Sequence, residues 1–156
     1  MPVLRPEDIA LILGLSEDEL DTSGIKLTIG EIYRFMSEGS IGVSGRRLPE
    51  YNEVECVGGV YKLGAGAYLV RYGEKVRIPR DCIGIVLPRS TLLRIGATIE
   101  TAVWDPGYEG RGVGLLLVFN ENGVVLERKA HIAQLVLLKL TGEASKPYRG
   151  QYYGEG

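Results

Sequence analysis

From Ile25 onward the chain alternates apolar and polar positions with a period of two. Lys26-Leu27-Thr28-Ile29, Val54-Glu55-Cys56-Val57, Ala67-Tyr68-Leu69-Val70-Arg71-Tyr72 and Lys75-Val76-Arg77-Ile78 each place apolar side chains on one face, the pattern of a half-buried strand. Ile83 to Leu87, Leu115 to Phe119 and Ile132 to Leu140 are apolar enough to be buried strands. Asn122-Gly123, between Leu117-Val118-Phe119 and Val124-Val125-Leu126, predicts a tight hairpin. Upstream the period differs. Residues 6–14 predict a short helix, with Pro6 in its first turn, Glu7 and Asp8 at its positive end and Gly14 as its stop. Ser16 to Leu20 predicts a second capped turn, and the Gly, Ser and Arg of residues 37–49 a loop or irregular hairpin. Short strands broken by Gly and Pro turns predict an all-β sandwich or barrel behind short N-terminal helices.

Composition narrows what such a fold does. The 156 residues fit one domain over 1–156, and 45% apolar residues suffice for a core without disulfides or a structural metal. The net charge of −2 argues against nucleic acid as the main ligand, because phosphate backbones are gripped by basic patches. Two cysteines, Cys56 and Cys82, do not make a secreted disulfide framework. His131 is the only histidine, which rules out a histidine cage and implies no protein-borne metal site. With no apolar run of bilayer length and no leader pattern, the expectation is a cytoplasmic protein that does not bind membranes.

Four stretches carry candidate chemistry. In Pro88-Arg89-Ser90-Thr91 the proline ends a strand, and an arginine and two hydroxyls follow. Such a turn either bonds its own hydroxyls or holds phosphate oxygens. In Trp104-Asp105-Pro106-Gly107-Tyr108-Glu109-Gly110 a lone aspartate sits in a tight bend. Asp105 either caps that bend or acts as a general base on a water. In His131-Ile132-Ala133-Gln134-Leu135 the amide of Gln134 lies in an apolar strand and needs a partner, in the core or on a phosphate. The tail, residues 146–156, has too little apolar content to pack alone. Its Tyr148, Arg149, Gln151, Tyr152 and Tyr153, interleaved with Gly150 and Gly154, suit either a disordered terminus or a flexible arm that closes a site. The run Glu109 to Gly114 is no Walker loop, since no Gly-Lys-Ser/Thr follows.

In this order the four stretches resemble the motifs of the dUTPase and dCTP deaminase superfamily: residues 88–96 its second, 102–110 its third, 131–135 its fourth and 147–156 its fifth. The resemblance implies a distorted jelly-roll fold, assembled as a homotrimer with active sites between subunits. It implies Mg2+ held mainly by the substrate triphosphate and hydrolysis of dUTP to dUMP and pyrophosphate. Asp105 would activate the water that attacks the α-phosphorus, and Tyr108 would pack under the deoxyribose. Arg89, Ser90, Thr91, Arg94 and Gln134 would hold phosphates. Arg149 would reach the γ-phosphate, with Tyr148, Gln151 and Tyr152 or Tyr153 seating and covering the nucleotide.

The chain departs from the superfamily at two places. Ser23-Gly24-Ile25-Lys26-Leu27 has Lys26 where the first motif usually carries an acid, and no role is carried over there. Deaminases of the superfamily place a glutamate on the strand after the third motif, where this chain has Leu115 or Leu117. An aliphatic side chain moves no protons, so the expectation is a dUTP hydrolase. The alternatives are a dCTP deaminase, alone or bifunctional, a non-catalytic nucleotide-binding module on the same fold, and a cupin-like sugar or metal binder.

Overall fold

A computed structural model describes residues 2–156. Helix α1 (Pro6–Leu13) opens on Pro6 and stops at Gly14, whose φ of 68° is the left-handed conformation a helix terminator needs. A single 3-10 turn, Glu17–Glu19, follows behind a capping box of Ser16 and Glu19. The strands are β1 (Leu20–Asp21), β2 (Gly24–Phe35), β3 (Ser40–Ile41), β4 (Arg46–Arg47), β5 (Tyr51–Glu53), β6 (Val60–Leu63), β7 (Gly66–Tyr72), β8 (Val76–Arg77) and β9 (Cys82–Pro88). Helix α2 (Ser90–Arg94) interrupts them. Then come β10 (Ala97–Glu100), β11 (Glu109–Gly110), β12 (Val113–Val118), β13 (Val124–Glu127) and β14 (His131–Lys139).

The main sheet is antiparallel, in the order β10-β12-β7-β2-β14-β9, with β1 and β5 also on β2. Its two ends meet. Gly84 of β9 and Trp104, just past β10, exchange two backbone hydrogen bonds of 2.9 Å, and the Thr101 hydroxyl donates to Val86 O. The sheet thus closes almost into a barrel, which removes exposed edges. The pairs β6·β13 and β8·β11 flank it. The core is the inward set of each strand: Leu27, Ile29 and Ile32 of β2, Val70 and Tyr72 of β7, Leu116 of β12, and Leu135 and Leu137 of β14 are all essentially solvent-free. Each such aliphatic side chain contributes roughly 1.5–3 kcal/mol on burial.

The predicted all-β barrel with short N-terminal helices is the fold observed, and two local expectations are corrected. Asn122-Gly123 makes a turn, with Gly123 N donating to Asn120 O, but no hairpin. Phe119 and Asn120 both donate to Gly96 O, which holds the end of β12 beside β10, and β13 departs to pair with β6. Val54 to Val57 is not a strand. The chain leaves the sheet after Glu53, and Gly58 and Gly59, both at positive φ, turn it back so that Val57 bridges only Val60. Residues 37–49 form the irregular hairpin β3–β4. No helix among the described residues is long and apolar enough to cross a membrane.

Candidate active site

The barrel seam positions Asp105. Trp104 is locked to Gly84, and the next residues bend away under backbone control. Tyr108 N donates to Asp105 O, Gly107 N to Ile78 O, and Ile78 N to Tyr108 O, at 2.8–3.0 Å. Gly107 has φ 81°, and a Cβ there would stand 2.8 Å from Pro147 Cβ, so the crossing tail requires glycine at that position. The Asp105 side chain is exposed, and its carboxylate takes part in none of the hydrogen bonds or ion pairs among the described residues. It is free for a ligand, and does not serve as the cap of its own bend.

Asp105 lines a cavity of about 290 Å³ with Trp104, Tyr108, Val113, Tyr148 and Tyr152. The wall is aromatic. Tyr72, Trp104, Tyr108 and Tyr148 form a chain of tilted and edge-on rings with centroids 6.0, 5.4 and 5.8 Å apart, leading from the core to the tail. Tyr108 is 8% exposed, and burial pushes its phenol up to about 12, so it stays protonated.

The tail is packed, against the reading that it lacks the means. Tyr148 N donates to Pro106 O, Tyr152 N to the Tyr148 hydroxyl, and Gly154 N to Glu109 O. Glu155 bridges Gly110, its carbonyl accepts from Arg111 N, and its carboxylate lies 3.4 Å from Arg71. Arg46 donates to the Gln151 side chain and sits over the Tyr152 ring. The partners the tail lacks in its own sequence are supplied by the bend, through Pro106 O and the Tyr108 ring, and by polar contacts with β7 and β11. Tyr152 thus reaches the Asp105 cavity, whereas Arg149 and Tyr153 lie in a second cavity on the other side of Tyr148.

The phosphate candidates assemble elsewhere. Gln134 stands opposite Leu87 on β9 and opposite Lys26 on β2, and Arg89 N donates to Ile132 O. Residues 88–91 and Gln134 are therefore neighbours. The polar turn is a strand end followed by the one-turn helix α2, in which Ser90, Thr91 and Arg94 are exposed and neither hydroxyl is bonded among the described residues. Arg89 Nη1 donates to His131 Nδ1 at 2.6 Å and Arg89 Nε lies 3.7 Å from Asp21. A guanidinium cannot accept, so Nδ1 must, which leaves the imidazole proton on Nε2, 3.5 Å from the Asp21 carboxylate. Burial, then the Arg89 charge, holds the His131 pKa below the ordinary histidine value. Thr22 N, then Arg89, holds Asp21 below the usual carboxylate range. Neither Asp21 nor this use of His131 was visible in the sequence, because the contact joins residues 42 apart and more.

The two clusters do not meet in one chain. Trp104 joins β9 at Gly84 and Gln134 flanks its far end at Leu87 and Pro88, about 10–13 Å further on at strand rise. Among the described residues no group of three or more His, Cys, Asp or Glu side chains is placed to hold a metal ion.

Comparison with known proteins identifies the family. The pattern of the dCTP deaminase-like family matches residues 5–140. A protein of Aeropyrum pernix named "Probable deoxyuridine 5'-triphosphate nucleotidohydrolase" is 40% identical over 95% of this chain and 93% of its own. One of Methanocaldococcus jannaschii named "Deoxyuridine 5'-triphosphate nucleotidohydrolase" is 38% identical over 90% of each. Among solved structures, the 2'-deoxycytidine 5'-triphosphate deaminase of Agrobacterium tumefaciens shares the fold, with a TM-score of 0.66 at 18% identity over 86% of this chain. The present chain spans 47% of that deaminase's length. With a barrel seam that presents a free aspartate, aromatic rings beneath it and a family pattern running through both clusters, the chain belongs to the dCTP deaminase-like family, the family of dUTP nucleotidohydrolases and dCTP deaminases.

Proposed function

We infer that the protein is an enzyme that hydrolyses dUTP to dUMP and pyrophosphate, as a cytoplasmic step of pyrimidine deoxynucleotide metabolism. The observation that carries this reading is the unbonded Asp105 carboxylate over the Trp104–Tyr108 wall. Asp105 takes a proton from water, the oxygen attacks the α-phosphorus, and the bond to the bridging oxygen breaks, so that pyrophosphate leaves. In this reading Tyr108, nearly buried, packs its ring against the deoxyribose and so excludes a 2′-hydroxyl. Arg89, Ser90, Thr91, Arg94 and Gln134 bind phosphate oxygens, and the Asp21–His131–Arg89 chain aims the guanidinium. A Mg2+ ion held by the triphosphate's own oxygens would neutralise part of its charge.

The separation of the two clusters supports a homotrimer in which Asp105 of one protomer faces the Arg89–Gln134 cluster of a neighbour. The outer face of β9 and β14 supports it too. Ile83, Ile85, Val136 and Leu138 are only half-buried there and Leu87 is 50% exposed, an apolar strip that a second copy would cover. The tail, residues 146–156, is the arm that closes over bound nucleotide, with Tyr148, Tyr152 or Tyr153, Gln151 and Arg149 as its contacts.

Deamination has no counterpart here. Leu115 and Leu117 occupy the strand that would carry the proton shuttle, and the acid across from Leu115 is Glu100, exposed on β10. Incubation with Mg2+ and dUTP, dCTP or dTTP, reading pyrophosphate and ammonia, tests the assignment. Pyrophosphate from dUTP without ammonia from dCTP is expected. Ammonia from dCTP makes the protein a deaminase, and dUTP bound but unconsumed makes it a binding module.

A further inference from the structure

Behind the aromatic wall lies a second cavity of about 290 Å³, separated from the Asp105 cavity by Tyr148, which lines both. Ile12, Leu13, Ile78 and Pro79 give it an apolar lining, and Arg77, Arg80 and Arg149 line it as well. Among the described residues no acidic side chain lines it. None of the three arginines forms an ion pair or side-chain hydrogen bond among the described residues. The Cα partner of Arg77 across the β8·β11 pair is Glu109, but that carboxylate is 3.2 Å from Lys75 Nζ. Three like charges gathered around one concavity repel one another, and nothing in the packing of the fold calls for them.

We propose that this cavity is a binding site for a small polyphosphate anion, distinct from the phosphate cluster at Arg89 and Gln134. Guanidinium groups match phosphate oxygens two at a time, and three of them around one cavity suit two or three linked phosphates. The volume is at the small end of ligand sites, enough for an inorganic polyphosphate or the tail of a nucleotide whose base stays outside. Two of the arginines come from the barrel and the third from the arm. A bound anion therefore ties the arm to the body through Arg149.

The site is joined to Asp105 by backbone. Ile78, between the two barrel arginines, accepts from Gly107 N and donates to Tyr108 O. Occupation fixes the arm where Arg149 is turned away from the Asp105 cavity, which opposes closure over substrate. The binding does not depend on the proposed hydrolysis, but this effect on turnover does.

The test is calorimetric titration of the full-length protein with inorganic pyrophosphate, and separately with dTTP, at low ionic strength so that exposed charges are not screened. Two variants are compared with the wild type: the double substitution Arg77→Gln, Arg80→Gln and the single Arg80→Gln, with melting curves to verify folding. Expected is a class of sites that weakens at least about tenfold in the double variant and less in the single one, as when charge-assisted hydrogen bonds are lost. Thr91→Val, in the other phosphate cluster, leaves that class in place. Response to pyrophosphate identifies a free polyphosphate as ligand, and response to dTTP alone a nucleotide tail. Isotherms unchanged by both variants overturn the proposal. Because the titration needs no turnover, it decides the site even for a protein that fails to hydrolyse dUTP.

Discussion

Arg89 Nη1 donates to His131 Nδ1 at 2.6 Å, and the far side of the same imidazole faces Asp21 at 3.5 Å. The first phosphate-binding candidate is thus aimed by a strand on one side and a short N-terminal strand on the other. Arginine side chains lose about 2 kcal/mol of rotamer freedom when fixed, and the buttress meets that cost before any ligand arrives. His131→Phe is expected to raise KM for dUTP severalfold, with a smaller change in kcat, while Asp21→Asn gives a weaker form of the same effect. Steady-state kinetics on the two variants check this. An unchanged KM in both removes the buttress from the mechanism.

The same histidine makes stability depend on pH in a known direction. Burial and the Arg89 charge hold its folded-state pKa below the unfolded value of about 6.5. The unfolded chain therefore binds that proton more readily. Its contribution to stability is complete above about pH 6.5 and is lost as pH falls toward the lower folded-state pKa. Urea unfolding at pH 7.5 and 5.5 should show a smaller drop for His131→Asn than for the wild type. Equal drops would mean that other groups set the slope.

Asp105→Asn should leave the melting temperature within a few degrees, because the carboxylate bonds to nothing among the described residues. Turnover should fall by about 10²–10⁴, the range for a lost general base. Parallel melting and pyrophosphate-release assays decide it, and near-normal turnover would show that another group activates the water.

Deleting residues 147–156 should leave a folded barrel, since its core draws nothing from beyond β14 except the packing of Tyr148. Activity should collapse with the arm gone. Tyr148→Ala is the finer probe: it removes the ring that packs on Tyr108 at 5.8 Å and should reduce kcat/KM without altering the assembly seen by size exclusion. A fully active deletion variant would end the role of the arm.

Most strands were legible for one of two reasons: β2 and β7 alternate with a period of two, which reports the side that faces the core, and β9, β12 and β14 are short apolar runs whose faces are buried and half-buried. Val54 to Val57 has the same alternation and fails as a strand, because Gly58-Gly59 reverses the chain before a ladder can extend. Asn122-Gly123 is a genuine turn, yet a turn dipeptide says nothing about which partners the flanking strands prefer. At the candidate site, residue types and order pointed to Asp105, Tyr108, Arg89 and Gln134. Asp21, Arg46 and Arg71 stayed hidden because each acts through a contact with a residue far along the chain. Lys26, opposite Gln134, donates to Asp18 O, and its place at the edge of the phosphate cluster came from strand register alone.

The bend at residues 105–108 is held by main-chain bonds to Ile78, to Tyr148 and within itself, none of which uses the Asp105 side chain. The identity of the side chain at 105 is therefore decoupled from the scaffold that presents it. Such a position is open to exchange without a penalty in folding, and a protein silenced there keeps its grip on the nucleotide. That makes the silenced form a capture reagent, able to sequester dUTP stoichiometrically in a mixture instead of consuming it.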